Sequence, residues 1–241
     1  MNLILIEKEE LDSTGHCRLH DHRARHIREV LRAKPSDQIV VGLLEGPRGT
    51  AEIVSSDAES FTLLCSFDAE VPPRSHISIM LAMPRPKVLK RLWAQLAAVG
   101  VDRIFITNAA RVEKFYFDSH VIEPGFYRPL LREGLQQARD TREPIVSIHR
   151  ELKPFVEDEL ERFAPDSLRL VADHRASQKL HAQPGKRVLL AVGPEGGWTP
   201  YELELLGRHG FTAVGMGART LRTDTACIAL LTLAGSGGVD V

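Results

Sequence analysis

Two glycine-rich runs near the carboxyl terminus constrain this chain more than any other feature of it. One is Gly193-Pro194-Glu195-Gly196-Gly197-Trp198 and the other is Met216-Gly217-Ala218-Arg219-Thr220-Leu221-Arg222-Thr223-Asp224-Thr225-Ala226. Each follows an apolar, strand-like segment and leads into a helix-like one. Both therefore read as loops at the carboxyl edge of a sheet, where open α/β folds bind ligands. Arg187 to Val192 is an apolar run of strand length, suited to burial on both faces. Gly193 and the Gly196-Gly197 pair permit close approach to the backbone. Thr199, Pro200 and Glu202 then form a helix start, with Thr199 as N-cap, Pro200 in the first helical position and Glu202 as capping-box partner, and Gly210 marks its end.

The second loop follows a short strand, Thr212 to Met216, and precedes Cys227 to Ala234, a run apolar nearly all round that reads as a buried helix. Arg222 and Asp224 stand at its threshold. The chain has neither a Gly-x-Gly-x-x-Gly fingerprint after a first strand nor a Gly-Lys-Ser/Thr phosphate loop, which argues against nicotinamide and nucleoside-triphosphate sites.

A boundary falls at Val71-Pro72-Pro73-Arg74. Before it, a helix-like Arg23 to Arg32 is followed by strand-like Gln38 to Leu43, Thr50 to Val54 and Phe61 to Phe67 with turn-rich connections, the pattern of a small β-barrel. After it, strands and helices alternate. Strands are expected at His76 to Met83, Arg103 to Thr107, Pro144 to His149 and Leu168 to Ala172, with helices at Lys87 to Val99, Tyr127 to Arg139 and Phe155 to Phe163. Such alternation implies a mostly parallel sheet covered on both faces.

Val192 to Gly197 with Trp198, and Gly217 to Ala226 read as Gly-x-x-x-Leu-Arg-Thr-Asp-Thr-Ala, resemble the two carboxyl-terminal signatures of the RsmE-type ribosomal RNA uracil-N3 methyltransferases of the SPOUT superfamily. The likeness is strong from 187 to 234, moderate over Arg25 to Arg32 and weak in the middle. It implies an α/β fold with a PUA-like RNA-binding β-barrel over 1–71 and a trefoil-knotted SPOUT methyltransferase domain over 74–241. The knot is an implication of the resemblance alone, because general topological rules disfavour knots. It also implies S-adenosylmethionine as cofactor, ribosomal RNA or the small ribosomal subunit as partner, and a homodimer.

Charge and composition are compatible with this. The net charge is −1, but basic residues are segregated. Arg18, Arg23, Arg25, Arg28, Arg32 and Lys34 crowd one segment, and acids gather at Glu7 to Asp12 and Glu157 to Glu161. That distribution suits a basic face along a phosphate backbone, or an ordinary solvated helix. Arg25, Arg28 and Arg32 are the candidate phosphate contacts. No apolar run is long enough to span a bilayer and the amino terminus is unlike a secretory signal, so a soluble, cytoplasmic protein is expected. Cys17, Cys65 and Cys227 show no metal-ligand spacing, and no metal is expected.

For the cofactor, the resemblance points to Gly193, Glu195, Gly196, Gly197, Met216, Gly217, Leu221 and Thr225, with a third wall at Leu170 and Val171. Uracil N3 carries a proton at neutral pH, so the site must supply a base or stabilise the developing anion. Arg222 is the candidate for the electrostatic role. Asp224 either accepts the proton or caps the last helix through its amides. The chain departs from the resembled family at Gln95 and Ala98 and at Gln136-Gln137-Ala138-Arg139-Asp140, which leaves the target uridine open. Another SPOUT RNA methyltransferase, acting on a ribose or on transfer RNA, and a non-catalytic RNA-binding protein are the alternatives. His26, His174 and His209 are each isolated in sequence and read as structural or solvent-facing.

Overall fold

The computed structural model describes residues 3–217 and 219–235, so Ala218 of the second loop and the outermost residues of both expected domains lie outside the described residues. The chain divides into two units, one of Met1–Arg74 with Arg132–Glu143 and one of Ser75–Leu131 with Pro144–Val241.

In the first unit, β1 (Ile4–Ile6), β2 (His16–Leu19), β3 (Gln38–Leu43), β4 (Arg48–Ser56) and β5 (Phe61–Phe67) form a sheet of order β1-β3-β4-β5-β2. β1 runs parallel to β3, and the other pairs are antiparallel. Alternate residues point inward, and Ile6, Leu19, Val41, Ile53 and Leu63 are buried together with Ile27 from the helical segment. That segment begins as α1 (His22–His26), capped by Asp21, and widens into a π turn over Ile27–Leu31. Gly49 is obligatory, since a Cβ there would sit 2.1 Å from the Ser66 carbonyl oxygen.

Arg132–Glu143, which the strand-helix alternation assigns to the second domain, is clustered with the first unit. The Thr141 hydroxyl, fully buried, donates to the Gly46 carbonyl at 2.6 Å, and Arg132 bridges Glu7 at 2.8 Å and Glu143 at 3.0 Å. Gly46 and Glu7 are distant in sequence from the residues they hold, so local periodicity carries no trace of these contacts.

The second unit holds β6 (Ile77–Ala82), α2 (Pro86–Val99), β7 (Arg103–Thr107), α3 (Pro124–Ala138), β8 (Ile145–His149), α4 (Leu152–Pro154), a π turn over Phe155–Glu159, α5 (Leu160–Phe163), β9 (Leu168–Ala172), β10 (Val188–Val192), α6 (Pro200–Arg208), β11 (Thr212–Val214) and α7 (Thr223–Gly235). Residues of α3 from Arg132 onward are clustered with the first unit. The sheet order is β11-β9-β10-β6-β7-β8, and every neighbouring pair is parallel. Apolar β6 and β10 lie at its centre, where both faces are covered. Helix α7 packs on α2, β10 and β6 and buries Cys227, Leu230, Leu231 and Ala234.

Candidate functional site

The parallel register brings the carboxyl ends of β9, β10 and β11 side by side, and the chain emerging from them lines a cleft. Its walls are Ala172 to His174 after β9, Val192 to Gly197 after β10, and Val214 to Gly217 with Arg219 to Leu221 after β11. Thr223, Ala226 and Leu230 of α7 complete it. All of these belong to the second unit.

The first loop is fixed from several sides. The capping box expected at Thr199 forms, with Thr199 N and Oγ1 donating to Glu202 Oε2 at 2.7 and 2.8 Å. Glu202 is 4% exposed, and its other oxygen accepts the Ala110 amide at 2.7 Å, tying α6 to the loop after β7. From that same loop, Arg111 donates to the Gly196 carbonyl. The Arg85 amide donates to Glu195 Oε1 at 3.3 Å. Gly197 turns back with a φ of 70°, its amide reaching the Pro194 carbonyl at 2.8 Å. Trp198 is buried against Gly193, where a Cβ would lie 3.1 Å from the indole nitrogen.

The second loop is held mainly at its start. Gly215 donates to the Gln178 carbonyl and accepts from Leu180, both at 2.9 Å. Beyond it, Met216, Gly217 and Leu221 have no backbone hydrogen bond among the described residues. Met216 and Leu221 are each 37% exposed, and Gly217 has a φ of 109°, a conformation that side-chain-bearing residues rarely adopt.

Of the residues expected to hold a cofactor, Gly193, Glu195, Gly196, Gly197, Met216, Gly217 and Leu221 line the cleft. Leu170 and Val171 are buried within β9, and the third wall is formed one to three residues further on. Thr225 is exposed on the first turn of α7 and is not part of the lining.

Arg222 is exposed and immediately precedes α7, its carbonyl accepting the Ala226 amide at 2.8 Å. Asp224 lies inside the first turn of α7, so it is not the N-cap residue. Its Oδ2 accepts from Arg91 of α2 at 2.8 Å and its Oδ1 from the Thr225 amide at 2.9 Å. Burial would push this carboxyl up, but the Arg91 guanidinium and the Thr225 amide outweigh it and hold the group below the usual carboxylate range. Asp224 is thus kept ionised by a partner on another helix.

The three candidate phosphate contacts differ from one another. Arg25 on α1 is exposed. Arg28 donates to the Asp57 carbonyl at 3.0 Å and lies 5.1 Å over the Phe61 ring. Arg32 ends the π turn in the left-handed region with a φ of 53°. The change from α to π geometry at Ile27 breaks the regular spacing on which a single helical face depends. Neighbouring Arg23 is spent on Glu10 and Asp21, at 2.5 and 2.7 Å.

Sequence reasoning did not single out Arg91, Arg111 or Asp173. Asp173 directly follows β9 and Arg111 lies in the loop after β7, so the rule that located the glycine loops also reaches them. Asp173 lines the cleft, and although burial raises its carboxyl, bonds from Arg175 hold it below the ordinary value.

Residues 71–235 match the family described as the RNA methyltransferase domain. The chain belongs to that RNA methyltransferase family. Curated relatives include the ribosomal RNA small subunit methyltransferase E of Treponema pallidum, 27% identical over 235 residues, covering 95% of this chain and 88% of the relative. The Borreliella burgdorferi enzyme named methyltransferase E 1 is 28% identical, with 95% of both chains covered. These names bear out the resemblance read from the two loops. Among solved structures, the Neisseria gonorrhoeae methyltransferase E bound to S-adenosyl methionine superposes with a TM-score of 0.75 at 20% identity, covering 95% of each chain. A Legionella pneumophila methyltransferase with bound cofactor SAM gives 0.73 at 21% identity, covering 100% of this chain and 99% of that one. At such identities the structural likeness establishes a shared fold for this RNA methyltransferase.

Proposed function

We propose that this RNA methyltransferase transfers the methyl group of S-adenosylmethionine to N3 of a uridine in 16S ribosomal RNA. The observation that carries the reading is the cleft itself, where three strand ends converge and Met216, Gly217 and Leu221 make no backbone hydrogen bond among the described residues. Adenine needs an apolar slot with backbone hydrogen-bonding groups at its edge, and Val192, Val214 and Leu230 supply the apolar lining. The residues fit the cofactor. When bound, it supplies an electrophilic methyl group on a sulfonium centre.

The rest is done by this chain. The first loop fixes position, because its own hydrogen bonds remove the freedom that binding would otherwise have to remove. Arg222, next to the cleft-lining Leu221, stabilises negative charge as the uracil N3 proton leaves. Asp224 contributes through Arg91 as a fixed carboxylate at the start of α7. Arg25 and Arg32 contact RNA phosphates, with Arg28 braced on Phe61 beside them. The reading includes a PUA-like amino-terminal barrel, a knotted catalytic domain, and a homodimer joined through α7, whose run Cys227 to Ala234 is apolar nearly all round.

Isothermal titration with S-adenosylmethionine, followed by methyl transfer to small ribosomal subunits lacking the modification, tests the proposal. Saturable binding and one new N3-methyluridine are expected. A folded protein that binds no cofactor, or that methylates a ribose, would refute it.

A further inference from the structure

The loop after β7 carries a feature that the cleft does not explain. Val112 and Phe117 anchor it in the core at 8% and 4% exposure, while Phe115 between them is 64% exposed. Exposing most of a phenylalanine forfeits its burial, and this one sits on a short 3-10 turn, Lys114–Asp118, whose geometry is fixed. Arg150 donates to the Phe117 carbonyl at 2.9 Å and lies 5.6 Å over its ring. Phe115 makes an edge contact with Tyr116 at 4.9 Å between centroids, which leaves most of its ring open.

The root of the loop is bonded to the first glycine loop and to the helix that follows it. Ala110 is bonded to buried Glu202, and Arg111 to the carbonyl of cleft-lining Gly196, so the exposed ring follows by four positions a residue tied to the cleft. The nearby charges favour an anion. Arg111 and Lys114 stand against Glu113, while Asp118 is answered by Arg150 at 3.5 Å.

We propose that Phe115 is a stacking platform for an unpaired base of the RNA substrate, next to the nucleotide being methylated, with Arg111 and Lys114 facing the adjoining phosphates. An enzyme that acts on a base edge needs that base unstacked, and its neighbours then lose stacking partners that an aromatic ring replaces. This inference rests on the reading of the chain as an enzyme acting on single-stranded ribosomal RNA.

The test uses Phe115→Ala, Phe115→Leu and Phe115→Trp. Trp93 and Trp198 are buried, at 0% and 4% exposure, so an indole at position 115 reports separately by its solvent-exposed emission. Titration with a single-stranded RNA oligonucleotide should quench that emission. Phe115→Ala and Phe115→Leu should both weaken binding about tenfold or more, since base-aromatic stacking is worth that much per base. Phe115→Trp should bind as the parent does. Calorimetry should give all variants the parent's S-adenosylmethionine affinity, which separates failure of this inference from failure of the cofactor assignment. Full affinity in Phe115→Leu would overturn the proposal, as would RNA binding unchanged in Phe115→Ala together with a shift from dimer to monomer in sedimentation. The latter pattern would assign the ring to a second copy of the chain.

Discussion

The two glycine-rich loops share a location and differ in how they are held. The loop after β10 is clamped by a capping box, by Ala110, by Arg111 and by a buried tryptophan. The loop after β11 is secured through Gly215, while Met216, Gly217 and Leu221 make no backbone hydrogen bond among the described residues and two of their side chains are exposed and apolar. One wall is braced along its length by its own contacts, and on the proposed reading the other is completed by the ligand. Rigid placement lowers the entropy cost of binding, while unspent amides and carbonyls supply the hydrogen bonds that discriminate one ligand from another. A cleft needs both, and here they come from β10 and β11, the two strands that flank β9.

The sharpest way to test this division is at the far end of the second loop. On the proposed reading the Arg222 charge acts mainly in the transition state, so with Arg222→Ala single-turnover methyl transfer should slow about a hundredfold with cofactor affinity preserved. If saturating RNA restores the rate, Arg222 is a binding residue instead. The corresponding break in the first loop is Glu202→Ala, which strips acceptors from the Thr199 and Ala110 amides in a site only 4% exposed. Urea unfolding should show a loss of about 2 kcal/mol, as the half-buried Thr199 amide and the exposed Ala110 amide lose a charged acceptor at once. A loss under about 1 kcal/mol would mean that the first loop does not depend on this clamp.

The contrast between the loops also explains what the sequence discloses. The capping box at Thr199, Pro200 and Glu202 is local, three residues apart, and was legible with its end at Gly210, which has a φ of 83°. Strands Gln38–Leu43, Phe61–Phe67, Arg103–Thr107 and Leu168–Ala172 match their expected limits, because apolar runs bounded by turns are local too. The three-residue β1 and four-residue β2 are too short for a periodic signal. Contacts between residues far apart in sequence were invisible. Glu202 to Ala110, Arg111 to Gly196 and Arg91 to Asp224 join positions separated by 92, 85 and 133 residues. Nothing in a single chain's composition couples such pairs, and they are what distinguishes a clamped loop from an open one.

A smaller effect is expected where backbone conformation alone is at stake. Gly217→Val places a branched side chain at a φ of 109° in the open loop, and should lower S-adenosylmethionine affinity about tenfold through strain of about 1–2 kcal/mol. Gly196→Val in the clamped loop acts differently. A Cβ there would lie 3.0 Å from Arg111 Cδ, so the added bulk should dislodge a flexible side chain more than distort the backbone. Calorimetry on the two folded variants should therefore rank Gly217→Val as the more damaging. The reverse order would show that the first loop is the less tolerant wall.

The smallest effect concerns the ion pair that ends the second loop. The Asp224 carboxyl is held below its ordinary value of 3.8 by Arg91 and the Thr225 amide, which outweigh its burial. A carboxyl depressed in the folded state adds stability above its unfolded value and loses it as pH falls through the folded one. The contribution of Asp224 is therefore complete at neutral pH, begins to fall near pH 3.8 and is lost as pH drops through the lower folded value. The Arg91 side chain is 50% exposed, so water screens the pair, and Arg91→Ala should cost no more than about 1 kcal/mol. Two readings separate a positioning role from a merely structural one. In Arg91→Ala the Asp224 carboxyl, followed by NMR, should titrate closer to 3.8, and cofactor affinity should fall a few-fold while Arg91→Lys recovers most of it. An unchanged Asp224 titration would mean that the Thr225 amide alone holds the carboxylate. The second loop would then owe nothing to α2.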